Sequence, residues 1–257
     1  MKIIRYFDIQ NDSTSFGIIS SDKICPIIGS PFSKNIKIEE DQEIPYNPEV
    51  VLVPCLPTKV VALAINYEGA TGQSKDMKEP LVFLKSTNSV VGFNDKIRLP
   101  FKSNTWGESE LGIVIRLETT SKVSSKNIKD YILGYLPAND ISCDNIEKRD
   151  HHLARSKSAD GFCPIGSYID TNYKFNNKKI TAYHNDELIR SGNTDQMIWN
   201  PHKIIIWLSS WMTLYPGDIV LTGTPPRVID RKFLMNGDSF TVKIEGFPSL
   251  TSKFYEI

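Results

Sequence analysis

Glu108 and Glu110 stand two residues apart in the stretch WGESELGIVI, residues 106–115, and lead straight into an apolar run. A strand repeats every two residues, so both carboxylates point to one face. Like charges held that close repel, and burying either without a partner is expensive. Two readings fit the pair: an exposed strand end with solvated carboxylates, or a cation held between them. A third oxygen ligand would favour the cation. Asp140, in GYLPANDIS, is that candidate, because the strand-like run 131–139 delivers it to a strand end. Three carboxylates with no Cys or His in the same motifs describe a hard-cation site, for Mg²⁺ first and then Mn²⁺ or Ca²⁺.

Several apolar β-like runs could position such a site: 59–67, 79–85, 110–118, 131–140, 219–225 and 240–246. Residues 180–192, ITAYHNDELIRSG, read as a hairpin with Asn185 and Asp186 in the turn. One clear helix is expected over 200–218, capped by Asn200, opened by Pro201 and stopped by Pro216-Gly217. Shorter helices are expected near Ser124-Ser125 and after Asp140. Near the start, 2–9, 16–20 and 23–27 are short β runs, followed by a polar, Pro-bearing stretch. The fold class is mixed and β-dominated, with a few helices. The chain divides into a small N-terminal β-rich subdomain, 1–55, and a main domain, 56–257.

The bulk composition excludes several classes. Thirty basic and thirty acidic residues cancel, and no basic stretch stands out, so no nucleic-acid partner is expected. No run of about 18 apolar residues exists, so no membrane span is expected. Arg5 and Asp8 interrupt the place where a signal peptide needs an apolar core. Cys25, Cys55, Cys143 and Cys163 are widely spaced and fit a reduced, cytoplasmic protein.

The order of motifs resembles the fumarylacetoacetate hydrolase superfamily. E-x-E-L-x-x-V-I lies at 108–115, G-Y-x-x-A-N-D-x-S at 134–142 and K-S-x-D-x-F-C-P-x-G at 157–166. G-N-T-x-x-M-I follows at 192–198 and L-T-G-T-P at 221–225. The resemblance runs from about residue 58 to the C-terminus. It implies a β-barrel-like catalytic domain that usually pairs as a homodimer, with Mg²⁺ or Mn²⁺ on Glu108, Glu110 and Asp140. It further implies a small 2-oxo or β-dicarbonyl carboxylic acid as substrate. Such an acid chelates the metal, which stabilises an enolate when a neighbouring bond breaks. Lys157 matches the family's active-site lysine, placed to steady that oxyanion or pass a proton. Lys85 matches a second lysine and Thr224 a threonine, both expected at the substrate carboxylate.

The departures bear on the reaction. Hydrolytic members carry a lid histidine and, three residues on, a glutamate, which together activate water. Here those positions are Ala70 and Gln73, and neither takes a proton at neutral pH. Asp144, Asn145 and Glu147 stand where the family commonly has arginine, aspartate and glutamine, so Glu147 replaces an amide that often meets substrate. Arg227 replaces a glycine; it either grips a carboxylate bidentately or is plain surface. His151 and His152 follow Asp140 and are expected as a surface pair, with replacement of the lost base as the alternative; His184 and His202 are expected to be structural or exposed. Decarboxylation or isomerisation needs an electron sink but no activated water, so lyase or isomerase chemistry is expected first. A carbon–carbon hydrolase with a rewired base, or a specialised dehydratase or cyclase, is the alternative. A metal-binding scaffold without turnover comes last.

Overall fold

The computed structural model describes residues 1–39, 41–70, 77–120 and 122–256. Its main sheet has 12 strands among these residues. Centrally, Ile132–Asn139 pairs antiparallel with Ser109–Ile115, which pairs antiparallel with Ile219–Leu221. Val60–Ala64 continues the sheet in parallel, and Leu81–Lys85 closes that edge. On the other side, Lys2–Asp8 joins through Lys2↔Asp170 and Ile3↔Ile169 and extends into a meander with Ser13–Ser20 and Lys23–Ile28.

A five-stranded sheet, containing Lys179–His184, Glu187–Asn193, Ser239–Ile244 and Leu250–Tyr255, packs against this one. The period of two sorts the side chains. Leu111, Ile113 and Ile115 share a core with Ile180, Phe240, Val242 and Ile244. Val114 faces the other way, with Leu136, Ala138 and Leu221. Every residue of Ser109–Ile115 is buried, which is why that stretch reads as a continuous apolar run rather than an alternating one.

The hairpin forms as expected. Asn185 and Asp186 both take positive φ, 45° and 68°, as a two-residue turn between twisted strands demands. The main helix, Pro201–Ser209, starts at its expected cap, where the Asn200 side chain accepts from the Lys203 N–H at 3.0 Å. It ends earlier than expected. The hydroxyls of Ser209 and Ser210 fold back onto the carbonyls of Ile206 and Trp207, so two serines compete locally for the last turn. Pro216-Gly217 instead forms the turn that launches Ile219–Leu221, with Gly217 at φ 89°. The shorter helices, Ile128–Tyr131 and Ala154–Lys157, are single turns. Among the described residues, no helix is long and apolar enough to cross a membrane.

Candidate active site

Strand register assembles the three carboxylates. Glu110 lies opposite Ala138, and Ser109 opposite Asn139. Continuing that ladder, the Asp140 N–H donates to the Glu108 carbonyl at 2.9 Å. Glu108 and Asp140 are therefore cross-strand neighbours, with Glu110 two residues along on the same face. One oxygen of each lies within 4.8 Å of the others. Glu108 keeps 16% of its side-chain exposure, while Glu110 and Asp140 are buried.

The surrounding groups treat the three unequally. Asp140 takes two ammonium groups: Lys85 Nζ at 2.6 Å on Oδ1 and Lys157 Nζ at 2.5 Å on Oδ2. Burial alone would raise its pKa, but the two lysines outweigh burial and hold it below the usual range. Glu110 receives the Gly223 N–H on Oε2 at 2.6 Å. Burial, then the charges of Asp140 and Glu108, push its pKa well up, and Lys157 and that N–H offset only part of it. Glu108 accepts from Arg190 Nη2 at 2.7 Å and lies 3.6 Å from Lys157 Nζ. The donor set is all hard oxygen, converges on one point and leaves negative charge uncompensated at Glu110. These residues fit a divalent cation.

Lys157 stands at the last residue of Ala154–Lys157 and also donates to Ser142 Oγ at 2.6 Å. Its ammonium lies 4.4 Å from the centre of the Phe83 ring. Burial pulls its pKa down, yet Asp140 and Glu108 more than offset that, so it stays protonated. The turn carrying it follows a strained approach: Glu147, Lys148 and Leu153 all have positive φ. Asp150 pins the turn by accepting the Ser156 N–H at 2.7 Å and the Ser156 hydroxyl.

A cavity of about 210 Å³ opens over this corner. Glu108, Glu110, Lys157, Thr224, Arg227 and Ala70 line it, together with Arg190, Arg231 and an apolar wall of Leu63, Phe83 and Leu153. The hydroxyl of Thr224 is buried and has no hydrogen-bond partner among the described residues. It sits on the turn Gly223 begins; Gly223 has φ 85°, and a Cβ there would meet Asn66 at 2.9 Å.

Three sequence-derived positions are not at the cavity wall: Asp140, which is fully buried, Lys85 and Glu147. Lys85 lies behind Asp140, 1% exposed, and also donates to the Ile141 carbonyl at 3.1 Å. Glu147 is exposed and pairs with Arg149 at 2.5 Å, because the left-handed residues 147 and 148 turn the segment outward. Asp144 accepts from Asn104 at 2.7 Å. His151 and His152 are exposed, and His184 is buried against Asp238. Gln73 lies outside the described residues. Arg190 and Arg231 escaped the sequence reading. Arg190 carried a weak signal, a charge directly after the apolar pair Leu188-Ile189 of the hairpin; Arg231, in a polar stretch, carried none.

A β-dominated fold that gathers two glutamates and an aspartate beside a small cavity describes a candidate metal-binding enzyme site. Residues 59–255 match the family described as fumarylacetoacetate (FAA) hydrolase, C-terminal, and the chain belongs to that family. It is 34% identical over 223 residues to the mitochondrial oxaloacetate tautomerase Fahd2a of Rattus norvegicus, covering 82% of this chain and 71% of that one. It is 36% identical over 200 residues to a 2,4-didehydro-3-deoxy-L-rhamnonate hydrolase of Sphingomonas sp., covering 73% and 70%. The fold superposes on a 2-hydroxyhepta-2,4-diene-1,7-dioate isomerase from Mycobacterium marinum with a TM-score of 0.86, at 30% identity, over 100% of this chain and 98% of that one. The chain is thus a fumarylacetoacetate hydrolase family enzyme acting on a small acid; its relatives include tautomerases, isomerases and hydrolases.

Proposed function

We propose that this enzyme carries out lyase or isomerase chemistry on a small 2-oxo or β-dicarbonyl carboxylic acid, through an enolate and without activating water. The observation that carries this reading is the cavity wall. Among its described residues there is no His and no Cys, and the only carboxylates belong to the metal set. Ala70, which lines the cavity where a hydrolase of this family has its lid base, offers a methyl group.

A divalent cation on Glu108, Glu110 and Asp140, Mg²⁺ or Mn²⁺ with Ca²⁺ as the larger alternative, would withdraw electrons from a chelating 2-oxo acid. The chain's own groups supply the rest. The partnerless Thr224 hydroxyl is placed to donate to the substrate carboxylate. The Lys157 ammonium, at the cavity wall, faces the oxygen on which charge develops and can donate a proton to it from Nζ, recovering that proton when the keto form returns. Lys85 and the Gly223 N–H fix the carboxylates of Asp140 and Glu110, so little reorganisation accompanies the reaction. Keto–enol interchange moves one proton between carbon and oxygen. Decarboxylation releases CO₂ and leaves an enolate that takes a proton at carbon. Neither consumes water.

Four free cysteines support a reducing, cytoplasmic setting, and the homodimer expectation rests on the family. The function is tested by comparing wild-type turnover of oxaloacetate (enol–keto interchange and CO₂ release) with hydrolysis of acetylpyruvate, in Mg²⁺ and in EDTA. Oxaloacetate should be converted faster, and EDTA should abolish it. Faster acetylpyruvate hydrolysis would assign the site to a hydrolase.

A further inference from the structure

We infer that Arg227 and Arg231 form a second anion subsite at the cavity mouth, which selects 2-oxo acids bearing a second carboxylate at the end remote from the metal corner. This rests on the 2-oxo-acid reading above and extends it to the far end of the substrate.

The charge inventory comes first. The described wall carries four cationic side chains, Lys157, Arg190, Arg227 and Arg231, against two carboxylates, Glu108 and Glu110. Two of the cations are already committed. Lys157 is bonded to Asp140. Arg190, 6% exposed, gives Nη2 to Glu108 and Nη1 to the Pro225 carbonyl, each at 2.7 Å. The other two are not. Among the described residues, neither Arg227 nor Arg231 has a carboxylate within ion-pair distance, while Arg190 and Arg149 do. Clustered guanidinium groups repel, and the surplus is relieved only by solvent or by an anion.

Placement comes second. The backbones of Arg190 and Arg227 form a β-bridge, and the Val228 N–H donates to the Ile189 carbonyl at 3.0 Å, so Arg227 is fixed beside the hairpin. Arg231 is exposed, but its guanidinium carbon lies over the Trp106 ring, 3.9 Å from the ring centre. That stacking orients the fork and leaves its edge N–H groups for an in-plane acceptor. Burial, then Arg227, lower the Arg231 pKa, and the counter-charges of Glu108 and Asp144 do not restore it. A planar carboxylate matches the fork bidentately. A cavity of about 210 Å³ is below the roughly 300–1,000 Å³ range of drug-sized ligands, so the second carboxylate must belong to a short acid.

The test uses a matched pair of ligands with the same five-carbon skeleton, 2-oxoglutarate and 2-oxopentanoate, which differ only in the terminal carboxylate or methyl. Binding is measured by calorimetry in Mg²⁺ for the wild type, Arg227→Gln, Arg231→Gln and the double variant. The wild type should bind 2-oxoglutarate at least about tenfold more tightly, as expected for charge-assisted bonds. The preference should shrink in each single variant and vanish in the double variant, and 2-oxopentanoate binding should stay within a few-fold. That retained binding also shows that the double variant is folded with its metal corner intact. Added salt should erode the preference, since the subsite faces solvent. Equal binding of the two acids by the wild type, or a preference that survives in the double variant, overturns the subsite. Failure of both acids to bind the wild type overturns the 2-oxo-acid reading itself, and the subsite with it.

Discussion

The two ends of the cavity are built differently. The inner end is sheet: Glu110 lies within Ser109–Ile115, Glu108 and Asp140 adjoin paired strands, and the buried Lys85 locks Asp140 from behind. A one-residue slip in that register would put the two glutamates and Asp140 on opposite faces. The outer end is loop. Ala70, Arg227 and Arg231 lie on connections that can change without disturbing the sheet. In the function proposed above, the inner end sets what kind of chemistry is available, and the outer end sets which substrate enters and whether water is activated.

The largest effect is expected at the inner end. Glu110→Ala should abolish both turnover and the gain in melting temperature that Mg²⁺ confers. In EDTA its stability should match or exceed the wild type, because the carboxylate removed is the one whose buried charge is least compensated. Thermal melts with and without Mg²⁺ check both points. A retained Mg²⁺ gain would place the metal elsewhere.

The outer end is expected to change chemistry without changing the scaffold. General-base help is worth about 10²–10⁴-fold. Ala70→His with Gln73→Glu should raise acetylpyruvate hydrolysis more than either single change, since the glutamate matters only with a histidine to orient. Additive or absent gains in the four-variant comparison would detach this end from water activation.

The smallest effect joins the two ends through the turn bearing Lys157. Asp150 is pushed up by burial, but the Ser156 hydroxyl and the N–H groups of the turn pull it further down, so its folded pKa is depressed. A depressed carboxylate contributes stability above its unfolded value, about 3.9, and loses that contribution as pH falls through the folded value. Asp150→Ala should therefore cost about 1 kcal/mol near neutral pH, comparable to losing a helix cap, and less in acid. Melting curves across that range check the convergence; a constant gap would remove Asp150 from the linkage.

The same contrast explains what was legible in the sequence. Period-two spacing put Glu108 and Glu110 on one face, and the run ending in Asn139 put Asp140 at a strand end, because strands convert spacing into geometry directly; that Asp140 meets Glu108 is set by the pairing of the two strands. The hairpin turn at Asn185-Asp186 and the Asn200 cap were legible for a similar reason: each is a local rule satisfied by local residues. The early end of the main helix was not, because a Ser-Ser pair and a Pro-Gly pair offered two stops and only packing chose between them. Lys85 was expected to touch substrate, but its depth behind Asp140 is a tertiary fact. Glu147 was expected at the substrate, but left-handed backbone at 147 and 148 turns it outward. Arg190 and Arg231 reach the cavity from a hairpin and a loop distant from the carboxylate motifs in sequence, and no spacing rule connects them to it.

The central claim is that Lys157 and the carboxylate corner move protons beside a 2-oxo group without water as a reactant. The most direct measurement is exchange of the C3 protons of 2-oxobutanoate in D₂O, followed by proton NMR in Mg²⁺, for the wild type and for Lys157→Met. The wild type should exchange them well above the buffer rate and lose that rate in EDTA. The variant, its carboxylates still compensated by Mg²⁺, should stay folded and exchange more slowly by a factor on the order of 10². Wild-type exchange no faster than buffer, or exchange in Lys157→Met equal to the wild type, would contradict the account.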